Sequence, residues 1–410
     1  METTAHDHAL TTNQKWTIAS TSAGFALENM DVLFLSFALS SIIAELHISG
    51  AQAGLISSIT NLGMLAGGIL FGVIADRFGR VKTFSHTVFI FAIATALMYF
   101  ASNIYLIYGC RFLAGVGAGG EYGVGITLIA ENFKHKNIGK MTSIAAIGGQ
   151  IGAILAAICA SVIIPTLGWR ALFLFGLIPV VLTYFIRRHL HESDEFIAAK
   201  NAVKDPRKRV RISALFKTPQ LAYQSVALMV MVIVQIAGYF GLMNWLPSIM
   251  QQKLGLSVSG SSLWMIATIV GMSIGMMTFG SILDYFGPRR AFGIFLLCSA
   301  VSVFGITLAF NEITLLFAGA ILGFFSNGMF GGYGAVISRL YPTEVRSTAN
   351  NVIVNVGRVI GGFSSVVIGF LMDRYSLIVV MGFLAVLYVI SFITMLTIPS
   401  LHKLGQVNEG

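Results

Sequence analysis

Five ionisable side chains sit deep inside long apolar runs of this chain: Glu28, Asp31, Arg111, Glu121 and Arg358. A charge at the middle of such a run costs at least about 2.5–3.5 kcal/mol, so it is kept for what it does, binding a proton or an ion of opposite sign. Glu28 and Asp31 are three residues apart and share one helix face. Asp31 lies about 20 Å from the edge of its run at 1.5 Å rise per residue, and Arg111 lies at a similar depth, so the two can pair. How firmly a buried carboxyl holds a proton depends on its distance from such a guanidinium, which makes a pair of changing separation a proton carrier. A fixed ion bridge is the other reading of the same two residues. Two carboxylates so close exceed what one arginine neutralises, leaving Glu28 as a second proton site or a contact for a bound molecule. Glu121 follows the glycine-rich face Gly115, Gly119, Gly120, where helices can approach closely. It can carry a proton or tie helices together by hydrogen bonds while neutral.

No carboxylate in the second half of the chain lies at the depth of Arg358. An unpaired guanidinium there seeks an anion, and its planar donor fork fits a carboxylate supplied by a bound molecule. Backbone carbonyls or the neighbours Asn327 and Asn355 are its alternative partners. Gln150, Gln235, Tyr239, Asn244, Trp245, Asn327, Tyr333 and Asn355 are the polar and aromatic groups expected to face the same cavity, Gln150 foremost, although aromatics in such a chain more often pack or anchor at an interface.

Groups so placed need elements that cross a bilayer. The chain is 56% hydrophobic and 10% charged, with a mean hydropathy of +0.82, outside the balance of a soluble globular protein. Apolar runs long enough to span, about 20 residues each, occur at roughly 16–43, 52–75, 83–101, 104–131, 139–164, 170–187, 221–249, 259–283, 291–310, 313–340, 347–373 and 377–398. The expected fold is therefore an all-α polytopic membrane protein of twelve transmembrane helices. With the N-terminus inside, 21 of the 26 Lys and Arg residues fall in inner connections, which places both termini in the cytoplasm and the protein in the plasma membrane. The net charge of +9 is spread over these short connections, which argues against a nucleic-acid partner. Cys110, Cys159 and Cys298 lie in apolar runs and are odd in number, so no disulfide framework is expected. His6 and His8 are too few and isolated for a metal site. The polar start lacks the pattern of a signal peptide, and the first apolar run is expected to direct insertion.

The chain also repeats itself. Gly280, Asp284 and Gly287 follow Gly72, Asp76 and Gly79 at an offset of 208. The same offset relates Gly115, Gly120 and Gly123 to Gly323, Gly328 and Gly331, Phe133 to Tyr341, and Gly149 to Gly357. Two six-helix halves follow, 1–188 and 220–410, joined by a polar cytoplasmic linker at 189–219. Packing residues are shared between the copies and polar ones are not: Ile138 answers to Arg346, and Gln150 to Arg358.

Four groups of residues give this chain a resemblance to the major facilitator superfamily over essentially its whole length. Gly72-x-x-x-Asp76-Arg77-x-Gly79-Arg80-x-Lys82 is similar to the superfamily's loop between spans two and three. Arg111 to Glu121, with Gly115, Gly117, Gly119 and Gly120, resembles the fourth-span motif of proton-coupled symporters. Glu192 to Phe196 and Tyr341 to Arg346 resemble the segments after spans six and ten in the sugar porters and the metabolite and aromatic-acid:proton symporters. The chain departs from the pattern at Lys134, Ile138 and Pro288, which weakens the expected latch. The resemblance implies two pseudo-symmetric halves, and an Asp31 carboxyl that faces Arg111 and takes up the coupling proton.

The loop charges lie too far from mid-depth to touch a substrate and are expected to form a cytoplasmic gate of Gly72, Asp76, Arg77, Gly79, Arg80, Glu131, Asp284, Arg289, Glu344 and Arg346. Asp76 is expected to cap the eleventh span near Arg346, and Arg77 and Arg80 to reach Glu131. Proton-driven uptake of a small organic anion, a monocarboxylate, aromatic acid or sugar acid, is the leading functional expectation. A facilitator or exporter of sugars or other metabolites is the alternative, and a sensor on a transporter fold the third. Gly148-Gly149-Gln150-Ile151-Gly152 lacks the Gly-Pro of drug antiporters, Glu28 and Asp31 argue against a simple uniporter, and the tails are short for a signalling domain. No P-loop, metal cluster or nucleophile–base pair points to an enzyme. Protons, a small molecule and the bilayer are the expected partners of a monomer without cofactor.

Overall fold

The computed structural model describes residues 10–48, 50–133, 137–193, 196–198, 201, 212–254, 258–364, 367–368, 371 and 374–406. Among these residues all regular elements are helical. In the first half they are α1 (Thr12–Leu46), α2 (Gly50–Phe78), α3 (Arg80–Leu97), α4 (Ile104–Asn132), α5 (Ile138–Leu167) and α6 (Ile178–His189), a short turn of helix at Trp169–Phe173 leading into α6. The second half holds α7 (Pro219–Leu254), α8 (Val258–Phe286), α9 (Pro288–Ser302), α10 (Glu312–Ser326), α11 (Phe330–Leu340), α12 (Arg346–Gly362), α13 (Leu377–Leu396) and the short α14 (Pro399–Gln406). Among the described residues nine helices are long and apolar enough to cross a membrane. Ile158, Val162, Ile274, Val301 and Ile393 are each more than half exposed on the outer faces, an apolar surface that only a bilayer would cover. The fold is the twelve-span architecture of two pseudo-symmetric six-helix halves. Of the stretch 189–219, expected to join them, 194–195, 199–200 and 202–211 lie outside the described residues.

Helix starts are fixed locally. The Thr11 hydroxyl accepts the Gln14 N–H while the Gln14 side chain accepts the Thr11 N–H, a capping box that begins α1. Asn103 caps α4, and Asn311 caps α10. Between α2 and α3 the whole connection is Gly79 at φ 133°, and between α8 and α9 it is Gly287 at φ 81°. A single residue reverses the chain at both places, in the region where only glycine is unstrained.

The 208 offset reappears in the packing. A Cβ on Gly63 of α2 would strike the Phe112 carbonyl of α4, and one on Gly67 the Val116 carbonyl. In the second half a Cβ on Gly271 of α8 would strike the Ala320 carbonyl of α10, and one on Gly275 the Phe324 carbonyl. All four positions of each set differ by 208. Small residues at these crossings let backbones touch, the means by which helices associate in lipid.

Candidate functional site

Four elements of the first half bring Asp31 and Arg111 together. Nη1 of Arg111 on α4 donates to both Asp31 oxygens on α1, at 2.9 and 2.7 Å. The Thr95 hydroxyl of α3 donates to Asp31 at 3.1 Å, and Arg111 Nε reaches the Thr60 hydroxyl of α2 at 3.4 Å. Both ionic groups are buried. The expected pair is made, and it lies wholly within one half.

Arg358 differs from its sequence expectation. It is not an unpaired cation, nor does it rest on Asn327 or Asn355: its Nη1 meets Glu28 Oε1 of α1 at 2.8 Å, across the boundary between the halves. The sequence concealed this because the partner belongs to the other half, where a search confined to Arg358's own copy finds no acid. The guanidinium also lies over the Tyr122 ring, 5.3 Å from its centroid, and against Met64 Sδ at 3.9 Å. Tyr122 stacks on Phe25 at 5.2 Å and leans on Phe330 at 5.7 Å. Beside Tyr122 on α4, both oxygens of buried Glu121 are without a hydrogen-bond partner among the described residues, and Gly24 of α1 lies directly against them.

The remaining residues expected at the cavity are spread more widely. Gln235 of α7 donates to Asn327 Oδ1 at 3.0 Å and to the Ser326 carbonyl at 2.9 Å, inside the second half. The Tyr333 hydroxyl donates to the Met231 carbonyl at 3.3 Å, where its ring packs on Phe292. Asn355 is committed to the helix interface: its Nδ2 donates to the Gly119 carbonyl of α4 at 2.9 Å. One turn earlier on α12, Asn351 Oδ1 accepts the Gly123 N–H at 2.9 Å. Gln150 is buried on α5 and Tyr239 half-buried on α7. The side chains of Asn244 and Trp245 lie outside the described residues.

At one end of the molecule the loop residues form a double clasp. Asp76, at the end of α2, accepts the backbone N–H groups of Ser347 at 3.2 Å and Thr348 at 2.8 Å, and the Thr348 hydroxyl at 2.7 Å. It thereby caps α12, whose own N-cap residue offers no side-chain bond. Asp284, at the end of α8, accepts the N–H groups of Gly139 at 3.0 Å and Lys140 at 2.9 Å and caps α5. Ser347 and Thr348 are Gly139 and Lys140 displaced by 208, so each half caps the same turn of the other.

Arg80 is fully buried beside the Asp76 cap. Its Nε donates to Glu131 at 3.0 Å and its Nη2 lies 3.1 Å from Asp76. It also donates to the Thr343 carbonyl of the opposite half and to the Ala75 carbonyl, above the Phe196 ring at 4.1 Å. Glu131 further accepts the Ser193 hydroxyl at 2.7 Å and lies 3.7 Å from Arg346. Arg77 and Arg289 are half-buried at the same end, and Gly72 packs directly against Thr348. Glu344 is exposed and makes no hydrogen bond or ion pair among the described residues.

Sequence reasoning missed three members of this clasp. Glu192 accepts the first N–H groups of α3, from Arg80 at 2.9 Å and Val81 at 3.0 Å. Arg339 pairs with Asp284, and Asn351 holds α4. Arg339 was within reach of the repeat, since 131 + 208 is 339: where the first half places Glu131 against Arg80, the second has Pro288 and returns the cation from Arg339. Glu192 stands in the segment after span six that resembles the family's, but its partner was not legible, because only the return of the chain after α6 brings it to the loop.

Comparison with known proteins agrees with this architecture. The family model described as Major Facilitator Superfamily matches residues 21–276 and 228–408. A Haemophilus influenzae protein named for metabolite transport is 37% identical over 94% of this chain and 96% of its own. The cis,cis-muconate transport protein of Acinetobacter baylyi is 29% identical over 90% and 91%. Among solved structures, the proton:xylose symporter XylE bound to 6-bromo-6-deoxy-D-glucose superposes with a TM-score of 0.80 at 17% identity, over 94% of this chain and 96% of that one. With the duplicated halves, the reciprocal caps and a family match running nearly from end to end, the chain belongs to the Major Facilitator Superfamily of membrane transporters for small molecules.

Proposed function

We propose that this protein is a secondary active transporter that takes up a small organic anion together with a proton by alternating access. The observation that carries the reading is the meeting of two buried carboxylate–arginine pairs, Asp31 with Arg111 and Glu28 with Arg358, with Glu121 alongside. Such groups are held in a membrane interior for ion and substrate pathways. Arg358 is the receptor for the substrate's carboxylate, Gln150, its repeat counterpart, is a further candidate contact, and Glu28, Asp31 and Glu121 are the carboxyls from which the proton carrier is drawn. The aromatic face of Tyr122 beside Arg358 favours an acid with a planar apolar body, in keeping with the muconate-transporting relative. The clasp at Asp76 and Asp284 is the cytoplasmic gate of a plasma-membrane protein with both termini inside. Closed as it is here, it leaves the opposite, outer side for entry.

Uptake into proteoliposomes tests this with benzoate, nicotinate, cis,cis-muconate and neutral xylose, under an imposed pH gradient with and without sodium. Accumulation of at least one of the acids, driven by an alkaline interior and indifferent to sodium, is expected. Uptake of xylose alone, independent of the gradient, would overturn the reading.

A further inference from the structure

The two ion pairs differ in what they join. Asp31, Arg111, Thr95 and Thr60 all belong to the first half, so this pair travels as one piece when the halves rock. Glu28 and Arg358 belong to opposite halves, 2.8 Å apart, and this pair must respond to the motion. Arg358 is also the cation that the organic-anion reading needs. Among the described residues the carboxylate that holds it is Glu28.

Among the described residues the charged and titratable groups around Glu28 are Asp31 on its own helix, Glu121, Tyr122 and Arg111 from α4, and Arg358 from α12. From α5, packed along the other side of α1, the residues that meet α1 are the glycines Gly148, Gly149 and Gly152; of the charged and titratable residues of α5, Lys140 lies at the clasp end and Cys159 two turns beyond Gly152. Three carboxyls thus share two guanidinium groups. A substrate carboxylate brought to Arg358 makes four. An uncompensated carboxylate at this depth is costly, so the arrangement admits the acid only when a carboxyl is neutralised.

We propose that Glu28 is the built-in competitor for the substrate's carboxylate, and that this competition couples the two fluxes. The substrate takes the Arg358 guanidinium, and Glu28, left without its cation, binds one proton from the entry side to become a neutral acid. On the exit side the carboxylate leaves, Glu28 releases that proton, and the Glu28–Arg358 pair re-forms. No bond of the substrate is made or broken, and one proton moves per carboxylate bound. The inference rests on the proposed anion transport.

The test is binding of whichever of benzoate, nicotinate and cis,cis-muconate the wild-type protein takes up, measured calorimetrically from pH 5.5 to 8. Wild-type affinity is expected to weaken by about tenfold per pH unit above the titration of the linked proton, with about one proton taken up per acid bound. Glu28→Gln is expected to bind with an affinity independent of pH, about tenfold or more tighter than wild type at pH 8, to exchange acid across the membrane and to lose accumulation driven by the gradient. Glu28→Asp, which keeps a carboxylate, is expected to keep the pH dependence, so a misfolded Gln variant does not end the test. Proton uptake near zero in the wild type overturns the proposal. So does a Glu28→Gln protein that retains the wild-type pH profile, or loss of that profile in Asp31→Asn instead. Failure of the wild type to bind any of the acids counts against the anion reading itself, a result distinct from all of these.

Discussion

Arg80 makes four polar contacts without any exposure, two of them with buried carboxylates and two with backbone carbonyls. Replacing Glu131 by Ala leaves that guanidinium short of its second carboxylate. Breaking one side of a buried pair costs about 3–5 kcal/mol because the remaining charge stays desolvated. The variant is expected to unfold at a clearly lower temperature in detergent, and a midpoint equal to wild type would show that the cluster is not needed for the fold. Glu45 and Arg170 at the other end offer the contrast. They are also paired, but half-exposed and one-quarter exposed, and a solvated pair contributes at most about 1 kcal/mol. Glu45→Gln should therefore leave the midpoint nearly unchanged when measured beside it.

Helix α4 is gripped on two sides. Towards α2 its small residues bring backbones into contact: a Cβ on Gly119 would enter the Met64 carbonyl. Towards α12 the paired Asn351 and Asn355 hold the N–H of Gly123 and the carbonyl of Gly119, which are themselves one turn apart. Gly67→Ala and its repeat counterpart Gly275→Ala should each force two helices apart and cost about 1–3 kcal/mol, as overpacking does. Similar losses of thermal stability in the two variants would express the duplication directly; a loss in one alone would contradict it. Much of this level was legible beforehand. Twelve spans, the 208 offset, the Asp76 cap on the eleventh span and the Asp31–Arg111 pair all followed from apolar runs, repeated glycines and the depth of single charges. Partners chosen by the contact between halves were not legible. Glu28 sits at no repeat position of Arg358, and Asn351 gives no signal while Asn355 reads as a cavity group, until α4 is seen to present bare backbone to them.

Closure at the clasp end is the sum of two caps, the Arg80 cluster and the asparagine grip, all made between halves. Asp76→Asn removes a charged acceptor for the N–H groups of Ser347 and Thr348 and the partner of Arg80. Hydrogen bonds to charged groups contribute about 1.5–3 kcal/mol each, so the ratio of closed to open molecules should fall by one to two orders of magnitude. Spin labels placed across this end would report longer distances, transport would slow, and acid binding would stay within about twofold of wild type. Abolished binding with unchanged distances would refute the gating role. Asp284→Asn, acting through Gly139 and Lys140 on the same equilibrium, should move the labels in the same direction.

The reciprocal caps obey the rule of an isologous interface, in which whatever one partner offers the other returns. Two identical six-helix chains could make that contact, but every charge they carried would appear twice. A continuous chain is released from this condition at mid-depth. The repeat positions of Glu28 and Asp31 hold Ile236 and Tyr239, those of Arg111 and Arg358 hold Gly319 and Gln150. Closure is therefore twofold while the charged centre is one-sided. A reversal of the halves would restore the clasp and not the site, so the symmetry that lets the molecule rock gives its centre no second copy to compete for the same ligand.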